Sequence, residues 1–275
     1  MLDFVQLPFM QRAALELALL APLAGILGAQ IVLRGLAFYA HGVGTAAFPG
    51  LVVASATGVP APAAALGTGL LFAGVTDGLR GPRLAADAAT ALALVGALAI
   101  GVVLASDVFA VGAEVDQMLF GSLLAIGADE LVGTLAALAV VACLAAAFRR
   151  DWAVTAFDPA HAGSLGIRRA GDWTLLLAIA VAVVAALDAA GALLVSAVLV
   201  LPAATVRPFA RSMRGLELAA GALALVQGLL GLWLAYELNL PPGAAIALVG
   251  GAAFTASLAL VEVSRLRGGA GPEGA

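Results

Sequence analysis

Apolar residues run along this chain in long blocks separated by short polar punctuation, a pattern far from the tight alternation of a half-buried strand. Uninterrupted apolar stretches fall near 13–33, 38–58, 61–76, 88–106, 131–148, 173–190, 192–206, 216–236 and 243–263. Each predicts a helix, and most approach the ~20 residues that cross a hydrocarbon core upright. The third and seventh are short, so they are expected to be tilted, broken or shielded by neighbours. The pattern thus predicts an all-α polytopic membrane bundle with about eight or nine transmembrane helices. A single transmembrane domain over 1–267 is expected, followed by a short polar tail at 268–275. The first run lacks a short hydrophobic region with an A-x-A exit and is expected to be a retained membrane helix.

The arginines give the pattern a direction. Arg34, Arg80, Arg83, Arg149, Arg150, Arg168, Arg169, Arg207, Arg211, Arg214, Arg265 and Arg267 all fall in connections on one side if nine spans alternate. Only Arg12 falls opposite. Positive charge concentrates on the cytoplasmic side of membrane proteins, which predicts the N-terminus outside and the C-terminus in the cytoplasm. The other side carries acid: Asp107, Glu114, Asp116, Asp129 and Glu237.

Composition then narrows the function. With 63% hydrophobic and 11% charged residues among 275, the chain has too little polar surface to coat a water-soluble globule. All 13 basic residues are Arg. Without Lys there is no phosphate-loop lysine and no Schiff-base lysine, so the chain cannot hydrolyse ATP by the P-loop route alone. A net charge of −4 offers no basic face for nucleic acid. The single cysteine, Cys143, can form no intrachain disulfide and is expected to act as a small buried hydrophobe. No Ser–His–Asp grouping or H-E-x-x-H supports hydrolase chemistry, so the chain is expected to be non-catalytic.

Four features carry candidate chemistry. His41 and Thr45 lie four apart, hence on one face of the second predicted helix. An intramembrane imidazole is a metal-site hypothesis by default, and a hydrogen-bonded interfacial histidine is the alternative. Gly42, Gly44, Pro49 and Gly50 make that helix breakable, as is tolerated where backbone lines a cavity. Glu16 and Asp188, near the outer ends of their spans, would join Glu114 and Asp116 in an electronegative outer mouth that favours cations. Finally, Asp158-Pro159 reads as a helix start, with Asp as N-cap and Pro at the first position. That helix would run through His161, Gly163 and Leu165 to Gly166, bracketed by arginine pairs. It suits either docking of a partner or rest on the headgroups.

Several segments in order resemble the membrane permease subunits of bacterial zinc/manganese ABC importers. They are FMQRA and PLAGILGAQIVLRGLAFYAH near the start, FPGLV at 48–52 and DQMLFGSLLAI at 116–126. AFDPAHAGSLGI at 156–167 and GALLVSAVLVLPAATVRPFAR at 191–211 complete the set. The resemblance implies two permease copies forming one pathway, a homodimer of ATPase subunits below and an extracytoplasmic metal-binding protein above. It makes the segment at about 157–169 a cytoplasmic coupling helix seated on the ATPase. It also implies no permanently bound cofactor, with the metal as cargo in a bacterial cell membrane. Family members usually carry an Asp and, four residues later, a His where this chain has His41 and Thr45. Loss of the hard carboxylate disfavours manganese more than zinc, so the expected cargo is Zn2+. Manganese, ferrous iron, a metal chelate or an ATP-independent carrier are the alternatives.

Overall fold

A computed structural model describes residues 7–79, 85–108, 123–158 and 168–268. The described residues form helices joined by turns. α1 spans Pro8–Arg34, α2 Ala37–Ala46, α3 Phe48–Thr57, α4 Ala61–Leu79 and α5 Ala86–Val103. They continue with α6 Ala128–Phe157, α7 Arg168–Val206, α8 Met213–Leu238 and α9 Pro242–Gly268.

Local chemistry sets the ends. Pro8 opens α1, where its missing N–H has no intrahelical acceptor to lose. Gly35, at φ 66°, closes it in the left-handed region, and Leu36 N–H returns to the Ile31 carbonyl at 2.8 Å. Ser212 caps α8 by accepting the Gly215 N–H at 3.1 Å. At the head of α6, the Gly127 N–H donates to the Glu130 carboxylate at 3.0 Å.

Predicted spans and observed helices correspond, with three instructive differences. The second span is broken into α2 and α3 around Ala47. Pro49 lacks an N–H and cannot donate to the Thr45 carbonyl four residues back, which is the physical reason for an interruption there. The sixth and seventh spans run together as α7, interrupted at Gly191, whose φ of 73° and ψ of 161° belong to glycine alone. The polar stretch after 148, expected to be a loop, continues α6 to Phe157, and helix resumes at Arg168.

The core is built on α1 and α7. α1 packs against α6, α7 and α8, while α7 also touches α2, α4 and α9. Leu20, Leu23, Leu27, Ile31, Leu175, Ile179, Val183 and Leu199 are buried at this centre. Where α1 crosses α8 the contact is backbone on backbone. A Cβ at Gly25 would lie 2.5 Å from the Glu217 carbonyl oxygen and 3.1 Å from the Gly221 nitrogen. Small residues allow this approach where no hydrophobic drive exists between helices in lipid. The outward faces of α4, α5, α6 and α9 expose Leu71, Leu92, Val95, Ile100, Val132, Leu135, Leu248 and Leu260, as lipid requires. Cys143 lies on the exposed side of α6, not in the core as the apolar run had suggested. In a membrane-spanning helix an apolar neighbourhood identifies lipid as readily as protein.

Among the described residues, six helical segments are long and apolar enough to cross a membrane: α1, α2 with α3, α5 with its π-helical extension to Val108, α6, α8 and α9. Two further apolar helical stretches are shorter: Gly171–Leu187 within α7, and Ala197–Phe209, which covers the end of α7 and the turn after it.

Candidate translocation site

α2 carries His41 and Thr45 into the middle of the bundle, against α4, α5 and α7. Thr45 is 5% exposed, and its hydroxyl donates to the His41 carbonyl at 3.2 Å. The residue pair is therefore joined through backbone, with the Thr45 proton committed and its oxygen lone pairs remaining. His41 itself is half-buried. The wall behind α2 is tight: Tyr39 and Phe72 rings stand 5.9 Å apart, and a Cβ on Gly42 would meet Phe72 Cζ at 2.6 Å. Beside the α2–α3 break a recess of about 530 Å³ opens on the lipid-facing side, lined by Ala46, Pro49 and Phe72 together with the exposed Leu92 and Ile100 among others. Its apolar walls offer a cation nothing. Among the described residues no three His, Cys, Asp or Glu side chains converge on a point that could hold a metal ion. The donor-bearing side chains that the sequence singled out on α2 are one imidazole, His41, and one hydroxyl, Thr45.

The predicted outer mouth is not a single cluster. Glu16 is 1% exposed, and Thr134 of α6 donates to its carboxylate at 2.7 Å. Expected at the outer surface, it is instead packed between helices, because its position on α1 faces α6 and α7 rather than solvent. Thr134 also lines a cavity of about 500 Å³ between α4, α6 and α7, with Asp129 and Glu130 at its edge. Glu130 was not singled out from the sequence, although Gly127-x-x-Glu130 ahead of an apolar run is a readable helix-start signal. Asp188 lies on α7 one turn before Gly191. Glu114 and Asp116 lie outside the described residues.

The opposite end of α1 is also polar. Arg34, with its side chain 9% exposed, donates to Asp172 Oδ1 of α7 at 2.7 Å, to the Trp152 carbonyl of α6 at 2.9 Å and to the Thr155 hydroxyl. Arg149 of α6 pairs with Glu217 of α8, 68 residues away, at 2.8 Å. α1 and α6 thus run side by side in the same direction, pinned by Glu16–Thr134 at one end and by Arg34 at the other. Five helical turns separate Glu16 from Arg34, about 27 Å of axis against a hydrocarbon core of about 30 Å. Sequence reading counted Arg34 only as a positive charge beside the membrane. Its burial and its partners more than a hundred residues away left no local signal.

For the predicted coupling helix, Asp158 is exposed and ends α6, its N–H returning to the Val154 carbonyl at 2.8 Å. Pro159, His161, Gly163, Leu165 and Gly166 lie outside the described residues.

Compared with known protein families, residues 6–261 match the ABC 3 transport family. The chain belongs to that family. As an ABC 3 member it is a multi-pass membrane permease subunit, which has no catalytic centre of its own. It is 28% identical over 270 residues to a "Probable iron transport system membrane protein" of Haemophilus influenzae, covering 96% of this chain and 97% of that one. It is also 28% identical over 255 residues to the "Manganese transport system membrane protein MntC" of Listeria innocua, covering 89% and 88%. Among solved structures it superposes on PsaBC from Streptococcus pneumoniae, solved with a Fab, with a TM-score of 0.83, 25% identity and 93% coverage of both chains.

Proposed function

We propose that this ABC 3 permease carries a divalent transition-metal ion into the cell, two copies forming the pathway and a separate ATPase homodimer supplying the energy. The observation that carries this reading is the end-to-end match to permeases named for manganese and iron transport. An extracytoplasmic metal-binding protein delivers the ion to the outer face. The end of the bundle holding Arg34, Arg149 and the start of α8 is cytoplasmic by the distribution of arginine, which puts the N-terminus outside. The α6–α7 connection then faces the ATPase as the coupling segment.

The identity of the ion turns on α2. The relatives' names support manganese or iron, whereas zinc rests on donor chemistry alone: an imidazole kept and no carboxylate beside it. The test is uptake of zinc, manganese(II) and iron(II) by the chain reconstituted with its ATPase and binding protein. Uptake of one or more of these ions that stops without ATP supports the reading; transport persisting without any ATPase sinks it. Zinc accumulation outpacing manganese would select zinc within the class. Gly163→Pro addresses the coupling segment, since proline in a helix interior costs about 3 kcal/mol. Loss of permease-stimulated ATP hydrolysis is expected, and unchanged stimulation would remove the segment from that role.

A further inference from the structure

The functional reading uses Arg34 only as one charge among the arginines of that end, not its bonds. One guanidinium holds both stems of the α6–α7 connection: the last turns of α6 through Trp152 and Thr155, and the second turn of α7 through Asp172. The stems are also joined to each other without it, because Trp152 Nε1 donates to Thr174 Oγ1 at 3.2 Å. Arg34 therefore adds something the stems do not need for their own cohesion, a tie to the end of α1. From there Gly35, at φ 66°, turns the chain into α2, and His41 is the fifth residue of that helix, seven residues on from Arg34. The planar fork of arginine bonds two acceptors at fixed angles, which an ammonium on a flexible stem cannot reproduce. The Arg34 side chain is only 9% exposed, while its partner Asp172 is 41% exposed.

We propose that Arg34 is a positioning residue for transport: a latch through which displacement of the α6–α7 stems moves the α1–α2 corner and so the path helix carrying His41. It touches no metal and acts through α2. The proposal rests on the functional reading above, in which that connection receives the ATPase's stroke.

The test uses the complete complex in proteoliposomes, with manganese(II) and zinc(II) as probes and metal ions moved per ATP hydrolysed as the readout, normalised to assembled complex. Arg34→Gln is expected to assemble and hydrolyse ATP while the metal-to-ATP ratio falls about tenfold, within the usual range of coupling energies between sites. Arg34→Lys should recover part of the ratio, since it keeps the charge but not the fork. Asp172→Asn, which leaves the bonds to α6, should lower the ratio less than Arg34→Gln. A ratio equal to the parent's in Arg34→Gln overturns the latch. If Arg34→Gln does not assemble, Asp172→Asn, at a 41% exposed position, decides in the same two ways. A parent complex whose permease neither binds nor stimulates the ATPase would instead overturn the functional reading, and the latch with it.

Discussion

The inner and outer helices of this permease invert the relation between hydropathy and burial familiar from soluble proteins. The α2–α3 segment is the most enclosed of the six long spans, with 72% of its core window buried, and has the lowest mean hydropathy, 1.3. α6 is the least enclosed, at 17%, and has the highest, 2.5. Lipid accepts only apolar side chains, whereas the interior accepts any group that finds a partner. The polar residues Glu16, Gln30, Thr45 and Gln227 accordingly lie inside. In this fold the span of lowest hydropathy is the most enclosed.

Substitutions on the two sides should separate sharply. The largest effect is expected at Gly25→Leu, which would force α1 and α8 apart at roughly 3 kcal/mol or more, with loss of folded permease from the membrane fraction. The same change at Gly74, which has nothing within 4 Å of a new Cβ, should leave the yield unchanged. Equal yields would dissolve the distinction between inner and outer helices. Next is His41→Ala, expected to lower metal flux about tenfold, on the scale of losing one partner at a metal site, while co-purification with the ATPase persists. Normal uptake in that variant would return His41 to a packing role. Thr134→Val keeps side-chain shape but removes the bond to Glu16 and should cost about 1 kcal/mol in thermal unfolding in detergent. The smallest effect is expected at Val132→Ala on the exposed face of α6, within about 0.5 kcal/mol. A larger shift there would mean that α6 is covered, by a second copy for instance.

The helices themselves were legible because length and apolarity are local properties. Even the α2–α3 interruption was foreshadowed by Gly42, Gly44, Pro49 and Gly50. The course of α6 past Arg149 and Arg150 was not: a polar stretch reads as loop, yet Trp152 is buried in the core and Thr155 meets Arg34, contacts that keep the backbone helical. Glu16 and Arg34 show the same limit at the site. A charge near a span's end is placed at the interface by sequence, and only partners over a hundred residues away reveal that it is inside. His41 and Thr45 were readable as a pair from their spacing, but not the backbone bond that joins them.

The Gly25–Gly221 crossing has a kinematic consequence. At that point main chain meets main chain, with no side chain between Gly25 and Gly221 to change rotamer, whereas farther along the same interface Leu17 fills the gap over Gly228. Around that crossing α1 and α8 are expected to move together, and the positive-φ glycines Gly35 and Gly191 are among the places where the backbone leaves helical geometry.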